Sequence, residues 1–303
     1  MALLGAAHYD PAGAVSKSTA SLLAMAALDT ANLRVTFTAP ANGKVLVRMR
    51  GTASHGATTW AQILFGVLEA STVRGRMAPI GAFGQAAGAT SPLVREASFL
   101  VTGLTPGNSY TYDAAYGVEF AVASSNLKYG GPNDASGNDA WGAFAFEVWE
   151  THALLAGTLY DPASAATKAT SSLTAMAAMD TSNLRLTFAA PPSGRVLWRI
   201  AGLIGKGTSG AIPSVLIGVM ESASIRSRTQ PVIGAAGTAL ATSHVPFEAK
   251  GYVGGLTPAN NYTYDAAWAT QVVAAASVIE YGGPNDTTQD NAYGGLAFEV
   301  WSA

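Results

Sequence analysis

Carboxylates that occur at equivalent places in the two halves of the chain are the first candidates for chemistry. Three pairs can be read from the sequence: Glu69 and Glu221, Asp113 and Asp265, and Glu147 and Glu299. Two carboxylates on facing elements can carry out glycoside hydrolysis, but nothing in the linear order brings any two of these together. Glu147 alternates with apolar residues, and Arg34 or Arg48 could pair with it. The sequence therefore favours structural ion pairs over catalysis.

Two loops rich in Asp and Asn could offer oxygen ligands to Ca²⁺. The first contains Asn133, Asp134, Asn138 and Asp139, and the second contains Asn285, Asp286, Asp290 and Asn291. Their spacing is not that of an EF-hand, and Asp139 is replaced by Asn291 in the second loop. Asx side chains in such loops commonly form turns, so we predict turn chemistry and no metal site.

No other residue pattern in the sequence points to a reaction. The chain has no cysteine, and its four histidines do not align between the halves, so a transition-metal site is not expected. No Gly-x-Ser-x-Gly sequence is present, and the glycine-rich stretches do not follow the strand-to-helix pattern of a phosphate-binding loop. The sequence thus predicts a non-enzymatic protein without catalytic residues, cofactor or metal.

Large aromatic side chains are the candidates for binding. Five of them are predicted to lie at an interface: Trp60, Trp141, Trp149, Tyr293 and Trp301. The alternative is a platform for sugar rings, to which Trp60, Trp141, Tyr116, Trp268 and Tyr293 could contribute. Only 12% of the residues are charged, and interface cores are poor in charge, so interface burial is favoured.

These residues are positioned by a sequence that is used twice. Residues 129–149 read YGGPNDASGNDAWGAFAFEVW, and residues 281–301 read YGGPNDTTQDNAYGGLAFEVW. Further matches link Asp29–Arg34 with Asp180–Arg185, and Tyr110–Asp113 with Tyr262–Asp265. Repetition on this scale predicts two tandem homologous domains in the 303 residues, over residues 1–150 and 151–303.

The periodicity within each half is mostly that of β-strands. Leu33, Val35 and Phe37 alternate with polar residues, and similar runs are bounded by Pro, Gly and Asn. Residues 39–43 (APANG) predict a hairpin connection, whereas residues 16–28 fit a short helix or an irregular first strand. The prediction is an all-β chain of two antiparallel β-sandwiches, jelly-roll-like or with immunoglobulin-like strand order.

The charge and hydropathy of the chain exclude two classes of partner. The net charge is −2, and no basic patch is evident, so nucleic acid is not an expected partner. No stretch approaches the length of apolar sequence that spans a bilayer, so membrane insertion is not expected.

Two resemblances refine this reading. Gly103–Tyr110 (GLTPGNSY) resembles the E–F corner of fibronectin type III domains, where a Tyr hydroxyl bonds back to the backbone. The phrases NLRVTFTAPANGKVLVR, GLTPGNSYTYDAAYGVE and YGGPND…AWGAFAFEVW resemble virion structural proteins of bacteriophages that infect actinobacteria, namely small tail proteins and head-decoration proteins.

The second resemblance implies a function. It implies a compact sandwich, similar to the C1q/TNF jelly roll, that acts as a symmetric oligomer such as a trimer in the virion, after assembly in the host cytoplasm. A tail or tail-tip protein is the expectation, with a capsid head-decoration protein or a carbohydrate- or receptor-binding module of a tail fibre as the alternatives. The implied partners are further copies of the chain, other virion proteins and a host surface glycan.

Overall fold

A computed structural model shows the fold of the chain. It describes residues 2–11, 15–18, 24–55, 63–81, 93–118, 126–129, 143–151, 153–163, 166–169, 176–206, 215–230, 232–233, 245–270, 278–282 and 294–303. The described residues contain twenty-four strands and no helix, so the predicted all-β class is confirmed. None of these residues belongs to a helix that is long and apolar enough to span a membrane.

The chain divides into two compact units, one containing Met1–Thr151 and the other beginning at His152. The strands of unit 1 are β1 Leu3–Tyr9, β2 Val15–Ser18, β3 Ala26–Ala27, β4 Arg34–Thr38, β5 Val45–His55, β6 Ile63–Glu69, β7 Thr72–Met77, β8 Ile80–Gly81, β9 Leu93–Val101, β10 Ser109–Val118, β11 Asn126–Tyr129 and β12 Phe144–Glu150. Those of unit 2 are β13 Leu154–Tyr160, β14 Ala166–Ala169, β15 Ala177–Ala178, β16 Arg185–Ala189, β17 Val196–Lys206, β18 Val215–Glu221, β19 Ser224–Thr229, β20 Val232–Ile233, β21 Val245–Val253, β22 Asn261–Thr270, β23 Val278–Tyr281 and β24 Leu296–Ser302.

Each unit contains two antiparallel sheets. In unit 1 the large sheet has the order β1-β12-β5-β11-β2, with β9 also on β5 and β8 on β9, and the small sheet has the order β3-β10-β6-β7, with β4 on β10. In unit 2 the large sheet runs β13-β24-β17-β21-β20, with β23 on β17 and β14 on β23, and the small sheet runs β15-β22-β18-β19, with β16 on β22. The same pairings therefore recur, as the sequence repeat predicts.

The core of each unit lies between its two sheets. Phe65 of the small sheet and Phe144 of the large sheet meet edge to face, with ring centroids 5.5 Å apart. Alternate residues of the strands point into this layer, as shown by the burial of Val47, Met49 and Phe146. This arrangement is a β-sandwich with jelly-roll character, and the predicted fold class is confirmed.

The sequence left residues 16–28 open between a short helix and an irregular strand. The described part of this segment favours the strand, because Val15–Ser18 pairs with β11 and Ala26–Ala27 pairs with β10. The alanines that favour a helix in isolation are here outweighed by tertiary pairing with two different sheets.

The predicted hairpin at residues 39–43 is wrong. Strand β4 belongs to the small sheet and β5 to the large sheet, so this loop carries the chain from one sheet to the other. Gly43 does adopt a positive φ of 62°, and its carbonyl accepts a hydrogen bond of 3.1 Å from Leu104 N. The glycine thus serves a crossing between sheets instead of a two-strand turn.

Candidate functional site

The carboxylates that recur in both units are paired with arginines. Asp113 accepts hydrogen bonds from Arg34 Nε at 2.6 Å and Nη2 at 2.9 Å. The equivalent bonds join Asp265 to Arg185 at 2.6 and 2.8 Å. Arg34 is therefore not the partner of Glu147, which corrects one of the two pairings expected from the sequence.

The pair at the β6–β7 hairpin is also ionic. Glu69 lies 3.5 Å from Arg74 Nη1, and Glu221 lies 3.4 Å from Arg226 Nη1. Each of these four recurring carboxylates therefore forms an ion pair with an arginine of its own unit.

Glu147 and Glu299 lie on the outer face of the two large sheets, each beside a tryptophan. Trp149 Nε1 donates to Glu147 Oε2 at 2.8 Å, and Trp301 Nε1 donates to Glu299 Oε2 at 3.1 Å. Arg48 lies opposite Glu147 in the β5–β12 register, but its Nε donates to Glu96 at 2.9 Å. Both tryptophans are half-buried, and the indole N–H of each already has a hydrogen-bond acceptor within its own unit.

In unit 2 these groups form a tighter cluster, which we call the charged row: Arg199, Glu248, Lys250 and Glu299. Arg199 donates from Nε to Glu248 at 2.6 Å and from Nη1 to Glu299 at 3.2 Å. Lys250 Nζ lies 3.0 Å from the second oxygen of Glu248. Four charges of balanced sign are thus joined across β24, β17 and β21.

The neighbouring cations of the charged row favour the ionised form of Glu248. Burial alone would raise the pKa of Glu248, but the neighbouring Arg199 and Lys250 hold that pKa below its usual range. Burial likewise opposes the charge of Arg199, yet Glu299 and Glu248 raise its pKa. Glu248 therefore accepts hydrogen bonds as a carboxylate, while Arg199 and Lys250 are the cations beside it.

An apolar row runs beside the charged row on the same face, and we call it the aromatic row: Leu154, Trp301, Leu197 and Tyr252. The four residues lie opposite one another on adjacent strands, in register. Leu197 is 46% exposed and Tyr252 is 48% exposed. Three steps of about 4.8 Å between strands give the row a length of about 14 Å.

The ring of Tyr252 leans along the sheet surface. A Cβ built on Gly254, which follows the end of β21, would lie 3.0 Å from the Tyr252 hydroxyl and 3.2 Å from Cε1. The outer end of the ring therefore covers Gly254. A ring that lies along the surface while half exposed offers a face to a ligand.

The equivalent row of unit 1 is different. It consists of Leu3, Trp149, Leu46 and Leu100. Leu100 replaces Tyr252 and is only 1% exposed, and Thr102 replaces Gly254. The exposed aromatic face thus belongs to unit 2, and comparing the two repeats at these two positions was the signal that could have found it.

Only some of the aromatic residues predicted to bind a partner lie in the described part of the chain. Trp149 and Trp301 are described above. Trp60, Trp141 and Tyr293 lie outside the described residues, as do the Asp and Asn of the two candidate Ca²⁺ loops. Tyr116 and Trp268 are buried in the cores, so their assignment to a sugar platform is wrong. Within the described part of the chain, no three His, Asp or Glu side chains form a group that could hold a metal ion.

Comparison with known proteins gives a likeness in structure only. No protein-family model matches the sequence, and no curated protein matches it. Among solved structures, N-glycanase F (PNGase F) matches with a TM-score of 0.42 and 11% identity, over 98% of this chain and 99% of that chain. PNGF-II matches with a TM-score of 0.34 and 5% identity, over 98% of this chain and 64% of that chain.

These comparisons correct the functional prediction. The solved structures matched over nearly all of this chain include a peptide-N(4)-(N-acetyl-β-D-glucosaminyl) asparagine amidase, which is an enzyme. The prediction of a non-enzymatic bacteriophage virion protein is therefore wrong, and this includes the tail protein, the head-decoration protein and the module of a tail fibre. At these identities and TM-scores the likeness concerns the fold, and no substrate or reaction is transferred to this chain.

Proposed function

We propose that this protein binds carbohydrate on the outer face of the large sheet of unit 2. The observation that carries the proposal is the Tyr252 ring, which lies along the surface over Gly254 and remains half exposed. The face of an aromatic ring is electron-rich, and it attracts the polarised C–H groups of a sugar ring. Leu197 and Trp301, in register with Tyr252, extend this apolar surface.

The charged row supplies hydrogen-bonding groups for sugar hydroxyls. Lys250 and Glu248 lie on the same strand and the same face as Tyr252, and their side chains are 64% and 25% exposed. Arg199 and Glu299 lie deeper and fix Glu248 in place. A sugar stacked on Tyr252 thus meets one donor and one acceptor that are already oriented, which reduces the entropy lost on binding.

The balance of charge suggests a neutral ligand. Two cations and two carboxylates make up the charged row, and they are joined to one another. An anionic or cationic ligand would have to break one of these pairs, whereas a hydroxyl group can bond to either partner without breaking it. Neutral oligosaccharides are therefore the expected class.

Binding to an array of oligosaccharides, followed by calorimetry on the ligands found, tests the proposal. Tyr252→Ala should weaken binding at least tenfold, equivalent to about 1.4 kcal/mol, whereas Tyr252→Phe keeps the ring and should retain most of the affinity. Gly254→Ala should displace the ring and weaken binding without unfolding the chain. The matched control is Leu3→Ala, which removes a 50% exposed leucine from the equivalent row of unit 1.

Two results would contradict the proposal. One is an array without any bound oligosaccharide. The other is a bound oligosaccharide whose affinity is the same for Tyr252→Ala, for Leu3→Ala and for the unchanged chain.

A further inference from the structure

Strand β1 forms one edge of the large sheet of unit 1. Within the described part of the chain it pairs with β12 and with no other strand. One side of β1 therefore presents backbone N–H and C=O groups beside which none of the described strands lies. Its seven residues, LLGAAHY, include no Lys, Arg, Asp, Glu or Pro.

The usual protections of an edge strand are weak in β1. Charged side chains, proline and bulges normally prevent a second strand from pairing with such an edge. A register shift between Leu3 and Gly5 marks the beginning of the strand. From Gly5 to Tyr9 the pairing with β12 is regular, so five consecutive residues without Lys, Arg, Asp or Glu keep an extended edge.

The equivalent strand of unit 2 is an informative contrast. Strand β13 is also an edge strand and has the same register shift. None of its seven residues is exposed, and Leu154 and Ala156 are buried. In β1, by comparison, Leu3, Ala6 and His8 are exposed. The edge that remains open is therefore that of unit 1.

We propose that β1 pairs antiparallel with β1 of a second copy of this chain, which joins two large sheets into one. A two-fold contact uses the same strand twice, so each outward N–H meets an outward C=O of the same sequence. Because β1 carries no Lys, Arg, Asp or Glu, the two copies bring no like charges together.

Light scattering after size-exclusion chromatography of the full chain, over a wide concentration range, tests this proposal. The unchanged chain should be a dimer, and Ala6→Lys should be a monomer because it places two lysines near the two-fold axis. Thr38→Lys is the matched control, since it adds the same charge at an exposed position of β4 in the same unit and should remain dimeric.

A second experiment separates loss of pairing from loss of folding. Mixing Ala6→Lys with Ala6→Asp should restore dimers, because opposite charges then face each other across the axis. Hydrogen exchange on the unchanged chain should show that the β1 amides directed away from β12 become protected as the concentration rises. A chain that is monomeric at every concentration, a dimer in which those amides stay unprotected, or an Ala6→Lys chain as dimeric as Thr38→Lys would overturn the proposal. Pairing with a strand of a different protein would appear as the first of these results.

Discussion

At one pair of facing core positions, the larger side chain lies on different strands in the two units. In unit 1, Val47 on β5 lies opposite Phe99 on β9. In unit 2 the same places hold Trp198 and Gly251. A Cβ built on Gly251 would overlap the indole ring of Trp198, so the glycine provides the space that the tryptophan fills. Total side-chain volume is thus kept while its distribution changes, as close-packed cores require.

This exchange predicts a coupled pair of substitutions. Gly251→Ala should destabilise the chain by about 1–3 kcal/mol, because it overpacks the core against Trp198. Trp198→Val leaves a cavity and should also destabilise it. The double variant Trp198→Val with Gly251→Phe recreates the unit 1 pair, and urea unfolding should show it more stable than the two single changes predict by addition. Strict additivity would contradict this account.

Buried tyrosines give the chain a dependence on alkaline pH. The hydroxyls of Tyr129 and Tyr281 donate to the carbonyls of Leu28 and Met179 at 2.9 Å. Burial raises the pKa of both phenols, and nearby Asp29 or Asp180 raises it further. The pKa is thus higher in the folded than in the unfolded chain, where it is about 10.

The sign of the effect follows from this difference. The stabilising contribution is complete below about pH 10 and is lost as the pH rises through the folded-state pKa. Tyr129→Phe should flatten this loss of stability above pH 10, while it costs about 1–3 kcal/mol at neutral pH because Leu28 loses its donor. Urea unfolding across the alkaline range measures both. An unchanged alkaline slope in Tyr129→Phe would show that this phenol is not responsible.

At the level of elements, short strands were predictable and their assignment to sheets was not. The alternation of Leu33, Val35 and Phe37 correctly indicates β4, because one face of that strand is buried. The turn at Ala39–Gly43 has the composition of a hairpin, yet it connects two sheets. The residues of a turn determine the backbone angles of the loop. The sheet that the next strand, β5, joins is determined by its pairing with β12 and β9, which are distant in sequence.

The corner before β10 was predicted from its sequence, and the structure contains the expected bond. Tyr110 accepts a hydrogen bond of 2.9 Å from Thr105 N, and Tyr262 accepts one of 2.9 Å from Thr257 N. Tyr110→Phe and Tyr262→Phe should each cost about 1 kcal/mol, the usual net value of one hydrogen bond. Tyr252→Phe is the control, since its hydroxyl is on an exposed ring. If thermal unfolding shows the same loss of stability for Tyr110→Phe, Tyr262→Phe and Tyr252→Phe, the hydrogen bond at the corner does not stabilise the fold.

At the level of the whole molecule, the sequence repeat predicted the duplication of the sandwich but not the candidate binding surface. The aromatic row requires Trp301, Leu197 and Tyr252 to lie side by side, and their register depends on three strands that are far apart in the chain. The repeat also hid the difference that matters, because Tyr252 occupies a position where unit 1 has a buried leucine. A duplicated fold can therefore be read from similarity between halves, whereas a binding site has to be sought where the halves differ.

The strand order predicts where the chain can be cut. Strand β12 lies between β1 and β5, so the last strand of unit 1 completes the middle of its large sheet. Thr151 follows this strand, and its hydroxyl donates to the Lys44 carbonyl at 3.2 Å and accepts from Asn42 Nδ2 at 3.1 Å. The first unit is thus closed by contacts with its own loops.

A fragment of residues 1–151 should therefore fold by itself, with a strand-type circular dichroism spectrum and a single cooperative transition in urea. A fragment of residues 1–142 is the control. It lacks β12, so β1 loses its partner and β5 loses the neighbour along its first half, and cooperative unfolding should disappear. If both fragments unfold without cooperativity, the first unit depends on the second for its stability. If both unfold cooperatively, β12 is not the strand that completes the sandwich, and the pairing of β12 with β1 and β5 contributes little to folding.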